Sequence, residues 1–171
     1  MSNLEQYIRT IENFPKEGVS FKDITTLLKN PVALKLAGEQ LYENAKHLKV
    51  DKVIGIESRG FMYGLWLATQ LNAGFVPVRK PGKLPAERYS QAYQLEYGVD
   101  KLEMHVDAIE KGEKVLVHDD VLATGGTAEG VAKLVEKAGG EIVQFSFLIE
   151  ILFLKGKEKL SKYDIKALIQ F

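Results

Sequence analysis

Hydrophobic positions along the chain alternate between a spacing near 3.6 and a spacing of two. "SNLEQYIRTI" puts Leu4, Tyr7, Ile8 and Ile11 on one face, which predicts a helix capped by Ser2. "NPVALKLAGEQLYENAKHL" predicts a second helix, with Asn30 as its cap and Pro31 at the first helical position, where both are favoured. "KVIGIES" is a short apolar strand. "GFMYGLWLATQL" returns to helical spacing, with Trp66 and the Leu65/Leu67 run read as helix core, and "NAG" stops it. "FVPVRK" is strand-like, and its Pro77 predicts an edge or irregular position. Then follow a strand "KVLVHD", a helix "TAEGVAKLVEKAGG" ending at its glycines, and a strand "EIVQFSFLIE". A short helix near "FLKGKEKL" and a last strand, "IKALIQF", complete the series. Repeated β-α-β units predict an α/β fold with a central, mostly parallel sheet flanked by helices.

One segment breaks this rhythm. Between Lys80 and Met104, "KPGKLPAERYSQAYQLEYGVDKLEM" mixes two prolines, several charges and three tyrosines. A long excursion with weak regular signal is either disordered or functional, and the aromatics argue against plain disorder. Residues 80–104 are therefore expected to be a flexible hood with some hairpin character. They sit inside a single domain over 1–171, since neither repeats nor a low-complexity linker divide the chain.

Composition narrows the chemistry. Lys and Arg total 23 and so do Asp and Glu, so nothing draws the whole surface toward nucleic acid or an anionic membrane. Any anion site must be local. The absence of cysteine excludes disulfides, thiolate catalysis and thiolate metal sites. The opening residues lack the apolar core of a signal peptide and no window approaches a membrane span, so the expectation is a cytoplasmic protein.

Ligands of open parallel sheets collect at the carboxyl ends of the strands. In "VLVHDDVLATGGT", Val115 to Thr127, an apolar strand stops at Asp119 and Asp120 and passes into Thr124, Gly125, Gly126 and Thr127. Both glycines can take positive φ and bring consecutive backbone N–H groups to one point, and a helix N-terminus behind them adds partial positive charge. That corner suits a phosphate, with the two threonine hydroxyls as further donors. Carboxylates beside it suit sugar hydroxyls or a cationic transition state. A phosphate next to a polyhydroxyl group is a ribose 5-phosphate. A Walker loop is excluded because Gly82-Lys83 and Gly156-Lys157 both lack a following Ser or Thr. Ala123 stands where a dinucleotide fingerprint would have its first glycine. His118 points away from Asp119 by strand alternation and is read as a packed core histidine, while His47 and His105 have no partner motif.

The same stretch resembles the phosphoribosyl pyrophosphate signature of type I phosphoribosyltransferases. With Ala123, "ESRGF", "RKPGKLP" and "LEYG", the chain is similar to the adenine-using branch of that family, in order from about Phe14 to Phe171. The resemblance implies the type I phosphoribosyltransferase fold and a reaction of purine salvage, in which adenine and phosphoribosyl pyrophosphate give AMP and pyrophosphate. It implies a homodimer, no nucleic-acid or membrane partner, and Mg²⁺ held mainly through substrate oxygens rather than in a protein cage.

Roles follow from the resemblance residue by residue. Ala123, Thr124, Gly125, Gly126 and Thr127 hold the 5-phosphate, and Asp119 and Asp120 anchor the ribose and oppose its developing positive charge. Glu57, Ser58 and Arg59 form the pyrophosphate loop, which fits the forked donor that arginine offers phosphate oxygens. Arg79, Lys80 and Lys83 are the basic strand end that reaches pyrophosphate, within the subunit or across a dimer interface. Glu96, beside Tyr97 on the hood, handles a purine ring proton. Phe21 stacks on the base and backbone near Ser20 reads its edge. Lys22 stands where relatives often have arginine, and Ile151 supplies the opposite apolar wall. Two other readings use the same fold: a phosphoribosyltransferase for xanthine or hypoxanthine, and a non-catalytic regulator that binds phosphoribosyl pyrophosphate as a signal. The regulator would need a DNA-binding segment, and no basic recognition helix is apparent in the chain.

Overall fold

The computed structural model describes residues 4–94 and 98–171. A 3₁₀ turn, Leu4–Tyr7, leads into an antiparallel pair, β1 (Arg9–Glu12) and β2 (Ser20–Asp23). Then come α1 (Thr25–Leu28), α2 (Pro31–Ala45), β3 (Lys52–Ile56), α3 (Gly60–Gln70) and β4 (Gly74–Val78). After them follow β5 (Arg88–Gln94), β6 (Val99–His105), β7 (Lys114–Leu122), α4 (Gly126–Ala138), β8 (Glu141–Glu150) and β9 (Ile165–Gln170). Strands β4-β3-β7-β8-β9, in that order, make one parallel sheet. β4 is at its edge, where Pro77 forfeits no ladder bond in the sheet interior.

Each face of the sheet has its own apolar cluster. Leu41 of α2 and Tyr63 and Leu67 of α3 pack with Val53 and Leu116 on one face. Val131 and Leu134 of α4 pack with Ile54, Val117 and Phe145 on the other. Helix α2 starts as its sequence dictates: the Asn30 side chain accepts from the N–H groups of Val32 at 3.1 Å and Ala33 at 3.0 Å, and Pro31 follows. Among the described residues no helix is long and apolar enough to cross a membrane.

Three expectations need correction. The helix read over Leu4 to Ile11 is a single 3₁₀ turn followed by β1, because Arg9 to Glu12 pair with Ser20 to Asp23. Pairing at that distance outweighs a local periodicity carried by four apolar residues. Leu65 and Trp66 are not core: they are 56% and 37% exposed, and only Leu67 of that run is buried. The tail helix is two 3₁₀ turns, Leu152–Leu154 and Gly156–Leu160, interrupted at Lys155 with φ 52°. Within 80–104 the described residues form the hairpin β5–β6 in a seven-pair register, with Leu102 and Met104 fully buried.

Candidate active site

The crevice lies at the carboxyl ends of β3, β7 and β8, where the parallel sheet opens toward the β1–β2 hairpin. β7 runs past the two acids to Leu122, so Asp119 and Asp120 sit within the strand and not at its end. The chain then turns at Gly125 (φ 79°), and α4 begins at Gly126. Of the two glycines only Gly125 adopts positive φ; Gly126 is already helical, which corrects the expectation that both would do so. A Cβ on Gly125 would stand 2.5 Å from the Gly156 carbonyl oxygen, so this corner also needs glycine for close approach.

A cavity of about 420 Å³ runs from this corner to β2. Asp119, Asp120 and the whole of 123–127 line it at one end. Ser20, Phe21, Lys22 and Ile151 line it at the other. Phe21 packs edge-on against Phe14 with ring centroids 5.2 Å apart, which holds it upright as a wall. Ser20 is exposed, and its hydroxyl donates to Glu12 Oε1 at 3.1 Å. The Lys22 ammonium turns away, lying 4.2 Å from the Phe171 ring centroid and donating to Thr10 Oγ1 at 3.0 Å. Val19, Phe153 and Leu154 also line this cavity, and the sequence reading missed them because no motif marks an apolar rim.

A second cavity, of about 390 Å³, adjoins the first. Glu57, Ser58, Lys80, Tyr93 and Asp100 line it, and Arg59, Asp119, Asp120 and Thr127 belong to both cavities. Arg59 is the junction: its Nε is 2.6 Å from Asp120 Oδ2, and its guanidinium carbon is 5.0 Å from the Phe21 ring centroid. The Glu57 carboxylate is engaged within the protein, accepting from the Lys80 N–H at 2.8 Å and from Arg79 Nε at 3.2 Å. Arg79 is thus turned onto Glu57, and neither it nor Lys83 lines either cavity. Glu96 and Tyr97 lie outside the described residues.

Burial sets the ionisation of the acids. It pushes the Asp119 carboxyl well above its ordinary 3.8, and the Asp120 charge beside it adds to the rise. Burial raises Asp120 as well, with the Arg59 guanidinium opposing the shift. The Asp119 Oδ1 accepts the N–H of Asp120 at 2.9 Å, which fixes its orientation. His118 is fully buried behind them, its Nδ1 3.4 Å from Ser146 Oγ and its ring edge-on to Tyr63. Burial lowers its pKa to about 3, so it is a neutral core residue, as the alternation predicted.

An aromatic-walled pocket, a glycine corner before a helix and two adjacent carboxylates make a site for a flat base and a sugar phosphate. Comparison with known proteins gives the same assignment. The model of the phosphoribosyl transferase domain family matches residues 23–169. The adenine phosphoribosyltransferase of Christiangramia forsetii is 60% identical, over 98% of this chain and 98% of its own. The crystal structure of adenine phosphoribosyltransferase from Rhodothermus marinus superposes with a TM-score of 0.94 at 53% identity, covering 98% of this chain and 96% of that one. That from Saccharomyces cerevisiae, complexed with an imino-altritol bisphosphate and adenine, gives 0.87 at 39% identity, with 96% and 95% covered. The chain belongs to the phosphoribosyl transferase family, among the adenine phosphoribosyltransferases.

Proposed function

We propose that this chain transfers the 5-phosphoribosyl group of phosphoribosyl pyrophosphate to adenine, releasing AMP and pyrophosphate in purine salvage. The observation that carries the reading is the pair of adjoining cavities that meet at Arg59, Asp119, Asp120 and Thr127. The first cavity fits base, ribose and 5-phosphate in line; the second fits the leaving pyrophosphate. β2 belongs to a two-stranded sheet, so one side of its backbone is free to meet the edge of a base near Ser20. Phe21 and Ile151 would hold the base between them.

Departure of pyrophosphate leaves a ribosyl centre with oxocarbenium character, and positioning and electrostatics supply most of the barrier reduction for such a step. The backbone N–H groups of the Gly125 corner and the start of α4 bind the 5-phosphate. Asp119 and Asp120 accept from ribose hydroxyls and face the positive charge. Arg59 leaves Asp120 to neutralise the leaving group, which frees that carboxylate at the moment it is needed. Glu96, with Tyr97, is assigned the purine ring proton on family resemblance. Arg79 and Lys83 are assigned to pyrophosphate across a dimer interface, in keeping with their absence from the lining of both cavities, and the exposed apolar face of α2 and α3 supports a homodimer. The same reading places the enzyme in the cytoplasm.

Mg²⁺ would enter with the substrate, since among the described residues no group of three or more carboxylate or histidine side chains could hold a metal ion by itself. The second cavity is lined by four carboxylates, of Glu57, Asp100, Asp119 and Asp120, against the two cations Arg59 and Lys80, a hard-oxygen surface that a polyanion enters best with a divalent ion. The ion would be held chiefly by pyrophosphate and ribose oxygens, with Asp119 and Asp120 as the carboxylates able to contribute, and would offset the charge of the leaving group.

The test is kcat/KM for adenine, hypoxanthine, guanine and xanthine at saturating donor and Mg²⁺. Adenine pairs a donor at its six position with an acceptor at N1, which a backbone carbonyl and N–H can match. Hypoxanthine reverses both groups, and each unpaired buried group costs about 1–3 kcal/mol. Adenine should therefore lead by roughly 10⁴. Comparable values for a 6-oxopurine would overturn the base assignment and leave the transferase reading intact.

A further inference from the structure

Among the described residues, each cation lining the second cavity is matched by a carboxylate, Arg59 by Asp120 and Lys80 by Asp100. The first pair belongs to the transfer chemistry. In the second, Lys80 belongs to the basic strand end, and no motif of the chain announces its partner Asp100. Lys80 is held at both ends. Its backbone N–H donates to Glu57 Oε2 at 2.8 Å. Its ammonium donates to the Tyr93 hydroxyl at 2.7 Å and to the Asp100 carboxylate, and the Tyr93 hydroxyl donates to Asp100 Oδ2 at 3.2 Å. Tyr93 and Asp100 are direct cross-strand partners in β5–β6, so the hairpin register itself places both oxygens on Lys80.

An ammonium has three N–H donors. Two are taken by the hairpin, and the positive charge is already balanced before any ligand arrives. A pyrophosphate in this cavity therefore meets a cation that has an internal anion at its side. We propose that Asp100 is a positioning residue that sets the affinity for the leaving pyrophosphate, competing with it for the Lys80 ammonium. The carboxylate keeps Lys80 at the cavity wall and prevents pyrophosphate from taking the full strength of that contact, so that the product departs. This rests on the reading of the second cavity as the pyrophosphate site.

The test is calorimetric titration of pyrophosphate with Mg²⁺ into the wild-type chain, Asp100→Asn, Asp100→Glu, Lys80→Met and the Lys80→Met/Asp100→Asn double variant, each checked by thermal melting. Asp100→Asn should bind pyrophosphate roughly three- to tenfold more tightly. The gain is capped at that because the side chains of Lys80 and Asp100 are 38% and 33% exposed, where water already weakens the pair. Inhibition by pyrophosphate should tighten by the same factor while KM for adenine stays unchanged. Asp100→Glu, which restores the carboxylate, should bind like the wild type. In the Lys80→Met background the Asn substitution should have no effect. Should Asp100→Asn fail to melt cooperatively, Asp100→Ser carries the same expectation. Unchanged or weaker pyrophosphate binding on loss of the carboxylate would overturn the proposal, and so would equal tightening in the Lys80→Met background. Failure of the wild-type chain to bind pyrophosphate at all would instead overturn the assignment of the cavity.

Discussion

Asp119 shows what the reaction asks of a single residue. Its carboxyl is pushed well above the ordinary 3.8 by burial and by the charge of Asp120, so the folded chain holds that proton more tightly than the unfolded one. The sign of the linkage follows. The contribution of Asp119 to stability is complete below pH 3.8 and is lost as pH rises through the raised value. Above that raised value the ionised acid is a cost to the fold, which the proposed role at the ribose would account for. Asp119→Asn keeps the oxygen that accepts from the Asp120 N–H and removes the charge. Melting curves should show no gain near pH 4 and a gain that grows toward pH 9, on the order of 2–4 °C for each 1 kcal/mol in a domain of this size. Turnover at pH 8 should fall by about 10²–10³. A variant that melts lower than wild type at pH 9 would make Asp119 a structural residue. Such an exchange of stability for function is the general expectation at a site with two adjacent buried acids.

At the scale of elements, the corner proposed for the phosphate depends on two glycines far apart in the chain. Gly125 turns β7 into α4 with φ 79°, and its Cα lies against the Gly156 carbonyl of the second 3₁₀ turn. A Cβ on Gly156 would in turn fall 2.2 Å from the Ala123 carbonyl oxygen, so backbone meets backbone on both sides. Gly125→Ala should cost roughly 1–3 kcal/mol of stability and abolish binding of ribose 5-phosphate, measured by urea denaturation and by titration. Gly126→Ala, which meets no φ penalty, should cost less stability than Gly125→Ala. Equal curves for the two variants would remove the special role of Gly125. This corner also marks where sequence stops being sufficient. The change from an apolar strand to acids, threonines and glycines announces the glycine corner proposed for phosphate within thirteen residues, because strand, turn and helix start are all local. The Gly125–Gly156 contact is not local, and nothing near either glycine signals it. The same holds for β1: "RTIE" contains Thr10 and Ile11 but shows no alternating burial, and only its partner β2 makes it a strand. Lys80 could be flagged as a basic strand end, whereas Tyr93 and Asp100 reach it only through the register of a hairpin.

For the whole molecule, the parallel sheet was readable because each buried strand carries its own apolar run, and the outward face of α3 was misread for a related reason. Periodicity separates an apolar stripe from a polar one, but it does not say whether that stripe meets the chain's own core or another chain. Met62, Leu65 and Trp66, spaced to share one side of α3, are 45%, 56% and 37% exposed, and Val32 and Leu34 of α2 are 69% and 39% exposed. Trp66 lies across the seam between the two helices, where a Cβ on Gly38 would stand 2.9 Å from its indole. Apolar patches of this kind mark interaction surfaces, and a second copy of the same chain would close one with two-fold symmetry. Sedimentation velocity at micromolar concentration should give twice the 19.1 kDa mass of the chain. Leu65→Glu should give the single-chain mass with a cooperative melt retained, since that side chain is more than half exposed. A wild-type chain that sediments at 19.1 kDa over the whole concentration range would end the dimer reading. The same variant decides where Arg79 and Lys83 act. If they reach pyrophosphate across the interface, the monomeric Leu65→Glu chain should bind it at least tenfold more weakly, as expected for loss of charged hydrogen bonds. Undiminished binding by the monomer would assign both cations to their own subunit.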